Sequence, residues 1–274
     1  MSSELKPDYV ISNHQIDKFW DDGFIFLKEV LNKDEIKYYG NIIRETATNR
    51  IEKNNLEPVA EGAFYQTLNL RFDSLDMMKF CLAERFGGIV AQLLKVDSVR
   101  IYHEQILFKP PGGNLTMWHQ DQFYWPLDSN LVVGMWMPIV DCTSEMGMLR
   151  YVKGSHKYGD QNGDVISKRS HSIFDSFIKR KNLKIVEMKS CNAGDCTFHF
   201  GWTAHGAGKN VSEKMREAMI VSYFADGTRV GELYNSARIN DAKYFLGGKN
   251  PGEIADSDLN KIVYKKNLNK IETL

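Results

Sequence analysis

The stretch Trp118-His119-Gln120-Asp121-Gln122-Phe123-Tyr124-Trp125 lies near the middle of the 274-residue chain. It places one imidazole and one carboxylate two residues apart among four aromatic rings. On an extended strand, residues i and i+2 point to the same face, so the side chains of His119 and Asp121 could converge on one metal ion. On a helix the same two side chains would diverge. A His-x-Asp pair alone is weak evidence for a metal site, so the surrounding sequence has to decide.

From residue 98 onward the chain has the pattern of a β-rich domain. Short runs of β-branched and aromatic residues alternate with turns built from Pro, Gly, Asn and Asp. Many short strands in succession indicate a β-sandwich or a barrel, and they favour the extended conformation for the His-x-Asp stretch. The runs are VRIYHEQILFK (99–109), LVVGMWMPIV (131–140), LKIVEMK (183–189), CTFHF (196–200) and AMIVSYFA (218–225).

The first hundred residues have a different, helical pattern. Apolar residues recur at helical spacing in three segments, and the run FIFLKEVL between the first two reads as extended. Helices followed by many strands predict a mainly β fold with flanking helices. The three helices are expected over residues 14–22, 33–46 and 76–97.

We found no internal repeat and no linker, so residues 1–274 are expected to form one domain. The N-terminal helices, about 14–97, should pack on a core of about 98–230. The polar segment 157–182 interrupts the strands and reads as a loop with a short helix. Long loops in compact domains are often binding loops, so this segment is expected to be a lid or insert.

Composition limits the classes of partner and the location. Lysine plus arginine equals aspartate plus glutamate, 35 each, so no net field attracts nucleic acid or an anionic membrane. The sequence shows no transmembrane span and no signal peptide, and its four cysteines lack CxxC spacing. These features predict reduced thiols in a cytoplasmic protein that acts on a small molecule.

Two further residues extend the metal hypothesis. His205 follows the strand CTFHF and could complete a two-histidine, one-carboxylate triad, which leaves adjacent positions open on a metal such as Fe(II). Arg216 opens the last predicted strand, where a guanidinium could hold the carboxylate of a 2-oxo acid in a two-point fork. Alone, Arg216 would more often be a surface charge at the end of a strand. A rival zinc site at Cys191, Cys196 and His199 lacks a fourth ligand.

Several motifs in the same order resemble the phytanoyl-CoA dioxygenase family of Fe(II)/2-oxoglutarate-dependent oxygenases. The resemblance covers most of residues 15–230. Several separate motifs make it far more specific than the His-x-Asp pair. The motifs are FWDDGFIFLKEVLNKDEI, FKPPGGNLTMWHQDQFYWPLD, MGMLRYVKGSHKYG and NAGDCTFHFGWTAHGAGKNVSEKMREAMIVSYF.

The resemblance implies a double-stranded β-helix, or jelly-roll, core. His119, Asp121 and His205 match the family's Fe(II) ligands. Arg216 matches the arginine that binds the co-substrate 2-oxoglutarate, and dioxygen is the second co-substrate. Further contacts to 2-oxoglutarate are expected from Trp136, Gln105 and Lys109, whereas His103, His156 and His199 match no ligand role and are read as structural.

The activity implied by the resemblance is that of a dioxygenase, an oxidoreductase that oxidises an unactivated C–H bond of a small-molecule metabolite, with release of succinate and CO2. Halogenating relatives replace the carboxylate ligand, so the presence of Asp121 favours hydroxylation. Two alternatives stay open: a catalytically idle jelly-roll protein that keeps a metal site, and a cupin-like isomerase or hydrolase. Neither the substrate nor the oligomeric state follows from the sequence.

Candidate substrate contacts follow from strand alternation. If the strand stays regular, Phe123 shares the face of His119 and Asp121, whereas Gln122 and Tyr124 point away. Phe123 and then Trp125 are therefore expected to wall the substrate site. Aromatic residues there could equally pack a core. Two further candidates on the next glycine-bounded segment are Met148 and Arg150.

Overall fold

The computed structural model describes residues 4–161 and 164–266. These residues form six α-helices: α1 (Asn13–Asp22), α2 (Lys33–Lys53), α3 (Leu75–Cys81), α4 (Glu84–Leu94), α5 (Lys168–Lys181) and α6 (Ser236–Phe245). The strands in the same residues are β1 (Phe24–Leu27), β2 (Tyr65–Leu68), β3 (Ser98–Lys109), β4 (Thr116–His119), β5 (Val132–Pro138), β6 (Leu149–Val152), β7 (Ile185–Glu187), β8 (Cys196–Phe200), β9 (His205–Ala207), β10 (Arg216–Ala225) and β11 (Ile262–Lys265).

The strands form two antiparallel sheets with a jelly-roll core, as expected. The large sheet has the order β1-β8-β5-β10-β3-β11, with β2 also paired to β3. The small sheet has the order β4-β9-β6-β7. The pairing of β4 with β9 sets His119 opposite His205, so the sheet register alone brings two distant histidines together.

Alternation along β10 explains why the central strands are apolar on both faces. Met219 and Val221 belong to the core between the large sheet and the helices. Ala218 and Ile220 point the other way, into a second cluster that includes Tyr151 of the small sheet. A strand covered on both faces reads as a continuous apolar run, which is how AMIVSYFA appears in the sequence.

The first two helices begin within one residue of their expected starts, 14 and 33. Ser12 and Gln15 form a capping box at the start of α1, and Gly23 ends this helix at φ 86°. Asn32 and Glu35 form the same reciprocal box at the start of α2. This helix runs to Lys53, past the expected end at residue 46.

The single helix expected over 76–97 is wrong, because the structure has two helices there. They are α3 and α4, separated by Leu82 and Ala83. The rings of Phe80 and Phe86 pack across the break with centroids 5.1 Å apart, and both are fully buried. Helical periodicity continues on both sides of the break, so the pattern alone could not show it.

Strands outside residues 98–230 complete the large sheet. β1 pairs with β8 at one edge, and β11 pairs with β3 at the other. The sheet that positions the site therefore depends on both ends of the described chain. Among the described residues, no helix is both long and apolar enough to cross a membrane.

Candidate metal centre and its cavity

The His-x-Asp stretch is only partly a strand. β4 ends at His119, and Asp121–Phe123 form a short 3-10 helix. The expectation of a regular strand through Phe123 is therefore wrong. Gln120 keeps an extended backbone (φ −122°), so the side chains of His119 and Asp121 still converge before the chain turns.

His119, Asp121 and His205 form a cluster that could hold a metal ion. One ligand atom from each lies within 4.8 Å of the other two. The Asp121 Oδ1 atom is 3.5 Å from His119 Nε2 and 3.7 Å from His205 Nε2. A metal with bonds of about 2.1 Å holds adjacent donors about 3 Å apart, so only small shifts would close this cluster around an ion.

Both histidines present a lone pair to the same point. The Nδ1 atom of His119 lies 2.9 Å from the Met117 carbonyl, and Nδ1 of His205 lies 2.9 Å from the Thr203 carbonyl. Because a carbonyl oxygen only accepts, each Nδ1 must carry the proton and donate it. The two Nε2 atoms are then free acceptors, which is the tautomer that metal-bound histidines adopt.

Electrostatics favour the protonation states that a metal requires. Burial lowers the pKa of His205 to about 3, and the neighbouring His119 acts in the same direction, so the His205 imidazole is neutral. Burial by itself would raise the pKa of Asp121. The adjacent imidazole of His205, together with those of His119 and His199, instead holds the pKa of Asp121 well below its usual value. A neutral imidazole and a carboxylate suit a divalent transition metal.

A third histidine, His199, contacts the same carboxylate. Its Nε2 atom lies 3.0 Å from Asp121 Oδ2, the oxygen not shared with His119. Gly134 lies opposite His199 in the sheet, and a Cβ there would meet the His199 ring at 3.0 Å. His199 matched no ligand role in the sequence and was expected to be structural. A glycine inside the strand VVGMW was the feature that could have indicated a close approach.

The triad opens into a cavity of about 340 Å³. Its described walls come from both sheets, from the segment before β2, from residues 165 and 166, and from α6. Apolar side chains form much of the wall, with a few polar groups among them, which is typical of sites for small molecules. The apolar walls include Val59, Phe64, Leu68, Leu107, Leu149, Val165, Ile166, Ile220 and Phe245.

Arg216 lies in this cavity as an unpaired buried cation. It is 1% exposed, one guanidinium nitrogen donates to the Gly147 carbonyl, and no atom of the described residues pairs with Nε. No ion pair among the described residues includes it. Its guanidinium carbon lies 5.6 Å from the centre of the Trp136 ring, whose Nε1 is likewise buried without an acceptor. Unsatisfied buried donors are costly, so this end of the cavity fits an anion.

Of the two other residues expected to contact 2-oxoglutarate, Gln105 lines the cavity and Lys109 does not. Gln105 accepts a 2.5 Å hydrogen bond from Gln66 of β2, which lines the cavity too and belongs to no motif of the sequence. The ammonium group of Lys109 donates to the Asn114 carbonyl, and burial, with the charge of Arg216, lowers the pKa of Lys109 to about 7. Lys109 is therefore a buried amine outside the cavity, paired with Arg216 in the register of β3 and β10.

The aromatic residues after Asp121 are placed differently from the strand expectation. Trp125 lines the cavity, and so does Tyr124, which was expected to point away. Phe123 is not among the lining residues, because the 3-10 turn rotates its side chain out of the strand alternation. The hydroxyl of Tyr124 accepts a 2.8 Å hydrogen bond from the Ile166 amide, so it holds part of segment 157–182 over the cavity.

Met148 and Arg150 do not line the cavity either. Met148 is fully buried in the cluster between the two sheets. The Arg150 guanidinium lies 4.7 Å from the centre of the Trp118 ring, towards α5. Both belong to the packing around the site, whereas Leu149, which lies between them in the chain, lines the cavity.

Two cavity residues come from α6. Asp241 and Phe245 lie beyond the expected core boundary at 230. No motif in the sequence indicated these two residues, because α6 is far from the ligand motifs in the chain and reaches the site only through tertiary packing.

The described cysteines do not form a metal cluster. Cys142 and Cys191 pair through their backbones in an isolated β-bridge, the Cys142 thiol donates to the Val140 carbonyl, and Cys196 is buried in the helix-facing core. The structure therefore separates the Cys191, Cys196 and His199 set.

Comparison with known sequences identifies a family model that matches. The model described as phytanoyl-CoA dioxygenase (PhyH) matches residues 19–218, more than half of the chain. A probable alpha-ketoglutarate-dependent hypophosphite dioxygenase from Stutzerimonas stutzeri is 28% identical over 193 residues. That alignment covers 67% of this chain and 64% of the relative, so the chain matches less than two thirds of the relative's own length.

Solved structures share the fold at lower identity. The non-heme alpha-ketoglutarate-dependent carbocyclase SnoK from nogalamycin biosynthesis superposes with a TM-score of 0.75 at 20% identity, over 92% of this chain and 96% of that one. The epimerase SnoN, in complex with Fe3+, alpha-ketoglutarate and nogalamycin RO, also gives 0.75, at 19% identity, over 91% and 97%. At these identities the likeness establishes the fold.

Proposed function

Because the chain belongs to the phytanoyl-CoA dioxygenase family, we propose that it is an Fe(II)- and 2-oxoglutarate-dependent dioxygenase. Its reaction is the hydroxylation of an unactivated C–H bond in a small-molecule metabolite. One atom of O2 enters the product as a hydroxyl group, and the other enters succinate, which forms with CO2 from 2-oxoglutarate. The electrons that reduce O2 come from the C–H bond and from this decarboxylation.

One observation carries the proposal: an uncompensated buried arginine shares a cavity with a two-histidine, one-aspartate cluster. Arg216 has no carboxylate partner among the described residues, and the triad His119, Asp121 and His205 lines the same cavity. A metal site alone would not require this cation. A ligand that chelates a metal at one end and carries a carboxylate at the other satisfies both groups.

The triad would hold the metal through two imidazole nitrogens and one carboxylate oxygen. This donor set is that of the facial triads that bind non-haem Fe(II) and leave neighbouring coordination positions open. Fe(II) bound there supplies dioxygen activation coupled to the oxidative decarboxylation of 2-oxoglutarate. The carbonyls of Met117 and Thr203 orient the two imidazoles, and His199 orients the carboxylate.

Arg216 and its surroundings would bind the far carboxylate of 2-oxoglutarate. The guanidinium offers its unpaired Nε. Trp136 Nε1 and Thr116 Oγ1 are further buried groups of the same cavity that have no partner in the described part of the chain. A guanidinium–carboxylate contact is charge-assisted and strong when water is excluded. The apolar wall around it, including Leu149 and Ile220, excludes that water.

The two alternative functions account for fewer of these features. An idle jelly-roll protein that keeps a metal site has no requirement for an unpaired buried arginine in the same cavity. A cupin-like isomerase or hydrolase needs the metal cluster but no cation placed for a 2-oxo acid. The epimerase SnoN, which shares this fold, was solved with Fe3+ and alpha-ketoglutarate, and this supports iron and a 2-oxo acid as the ligands proposed for the cavity.

An anaerobic titration tests the proposal. Protein loaded with Fe(II) and titrated with 2-oxoglutarate should develop the visible metal-to-ligand charge-transfer band of the chelate. His119→Ala should abolish the band, because it removes a ligand. Arg216→Ala should keep the band but raise the 2-oxoglutarate Kd by about 10- to 100-fold, the loss of a charge-assisted pair.

Two controls sharpen the titration. His14→Ala removes an exposed histidine outside the cavity and should leave the band unchanged. Arg216→Lys keeps the charge without the planar fork and should fall between wild type and Arg216→Ala. Absence of the band in the wild-type protein, or an Arg216→Ala protein that binds 2-oxoglutarate normally, would contradict the proposal.

A further inference from the structure

The wall that α6 contributes to the cavity has its own chemistry. Asp241 and Phe245 line the cavity from this helix, outside the matched residues 19–218. His103 and Trp125 line the cavity beside them, and the His103 ring packs on Phe245. We call these four residues the α6 wall.

Asp241 is the carboxyl group of the α6 wall, and it is incompletely paired. Its Oδ2 atom accepts a 2.8 Å hydrogen bond from the Tyr102 hydroxyl. Within residues 4–161 and 164–266, no ion pair and no second hydrogen bond reaches this carboxyl group. One side of the group is therefore anchored to the protein, and the other faces the cavity.

The nearby cation, Arg238, is occupied elsewhere. It is 5% exposed, and its guanidinium donates to the carbonyls of Gln122, Phe123 and Glu232. Its charge still favours the ionised form of Asp241, but burial has the larger effect and raises the Asp241 pKa to about 7. In the described part of the chain, the Asp241 carboxylate therefore has no close counter-ion. A bound molecule with a positive charge could supply one.

The rings around Asp241 suit a cation more than an anion. The His103 ring centroid lies 4.7 Å from that of Phe245 and 6.0 Å from that of Trp125. Burial lowers the pKa of His103 to about 3, so this imidazole is neutral and repels no cation. Tyr124 adds a further ring to the cavity wall. Aromatic faces beside a carboxylate form a favourable environment for an organic ammonium group.

We propose that Asp241 determines substrate specificity by binding a protonated amine of the primary substrate, with the rings of Trp125, Phe245 and Tyr124 packed around that amine. The proposal rests on the proposed function, because it assigns the substrate class of the same site. The cavity of about 340 Å³ must hold 2-oxoglutarate as well, so the substrate is a small amine.

Matched probes test the assignment. Each set consists of an amine, an alcohol and a carboxylic acid on one carbon skeleton, with propyl, cyclohexylmethyl and 2-phenylethyl skeletons. Binding is measured by calorimetry to the full chain, once loaded anaerobically with Fe(II) and 2-oxoglutarate and once metal-free. We expect at least one amine to bind at least about tenfold more tightly than its alcohol and acid in both states.

Variants assign the preference to Asp241. Asp241→Asn keeps the shape and an acceptor for Tyr102, and should remove the amine preference while alcohol binding stays unchanged. Tyr102→Phe keeps the carboxylate and should retain the preference. Asp258→Asn, which removes an exposed carboxylate outside the cavity, should behave as wild type.

The outcomes separate this inference from the proposed function. Equal binding of amine and alcohol on all three skeletons, or an amine preference that survives Asp241→Asn, would overturn it. The metal-free titration reads Asp241 without the iron site. A missing charge-transfer band together with a preserved amine preference would therefore overturn the dioxygenase proposal and leave the amine site standing. The reverse result would overturn only the amine site.

Discussion

At the scale of single residues, the site depends on groups that hold the ligand atoms in place. His119 and His205 use one device: each donates from Nδ1 to the carbonyl two residues earlier in the chain. His199 orients Asp121 from the other side, in the space left by Gly134. Such supporting contacts set the direction of each ligand, and their loss weakens metal binding while the ligands stay present.

His199→Ala should lower the affinity for Fe(II) or Co(II) by about 10- to 100-fold, because Asp121 loses the hydrogen bond that its Oδ2 atom accepts from His199. The measurement is a metal titration followed by absorbance, with His14→Ala as the exposed-histidine control. Once enough metal is added, His199→Ala should give the full charge-transfer band with 2-oxoglutarate. Wild-type metal affinity in this variant would show that His199 is only a packing residue.

At the scale of elements, the C-terminal strand closes the large sheet against an N-terminal helix. α4 packs on β11, and a Cβ at Gly87 would lie 2.7 Å from Tyr264 Cβ and 2.9 Å from Val263 Cγ1. The helix can approach the strand this closely only because residue 87 has no side chain. Helical propensity would favour alanine there, so the contact decides the residue.

Gly87→Ala should therefore destabilise the fold by about 1–3 kcal/mol, because the close contacts exceed the gain in helix propensity. The matched control is Gly40→Ala in α2, where the nearest atom, Ile139 Cβ, lies at an ordinary 3.6 Å. That control should be neutral or more stable by up to about 1 kcal/mol. Urea unfolding measures both. If both variants gained stability, the contact between α4 and β11 would not be tight.

At the scale of the whole molecule, the cavity joins segments that are far apart in the chain. It includes residues from before β2, from the centre of both sheets and from α6. One consequence is a fully buried histidine, His103, enclosed by the rings of Tyr102, Trp125 and Phe245. Burial lowers the pKa of His103 from 6.5 to about 3. The folded protein therefore binds a proton at His103 less readily than the unfolded chain does.

The lowered pKa of His103 makes the folded protein less stable as the pH falls. With the folded-state pKa below the unfolded value, the contribution of His103 is fully present above pH 6.5 and is lost as pH falls towards 3. Between pH 6.5 and pH 5, the metal-free protein should lose about 2 kcal/mol through this group. His103→Gln should reduce the pH dependence by that amount. Urea unfolding of both proteins at pH 6.5 and pH 5 measures this difference. If the free energy of unfolding changed equally with pH in the wild type and in His103→Gln, the assignment to His103 would be contradicted.

Much of this fold follows from the sequence. Ser12, Asn32 and Gly23 mark helix ends through local hydrogen bonds and backbone freedom, and the five apolar runs after residue 98 are all strands. The family resemblance is confirmed by the match over residues 19–218. The division of residues 76–97 into two helices was missed, since apolar spacing is the same on both sides of the break.

The candidate site, like the fold, could be predicted from the sequence only in part. His119, Asp121, His205 and Arg216 stand out in the sequence because their types suit a metal and a 2-oxo acid, and the structure brings them to one cavity. Their roles in binding iron and 2-oxoglutarate stay predictions. Trp136, Gln105 and Trp125 also line the cavity, whereas Phe123, Met148, Arg150 and Lys109 do not.

The sequence by itself determined the chemistry that is available: which side chains can bind a metal, which cation can bind a carboxylate, and which runs become strands. Tertiary structure alone decided which residues share the cavity. Because of the 3-10 turn after Gln120, Tyr124 lines the cavity and Phe123 does not. The sheet register brings His199 within hydrogen-bond distance of Asp121, and the packing of α6 brings Asp241 to the cavity wall. Side-chain periodicity is a local property, whereas facing a common cavity depends on turns and packing between distant segments.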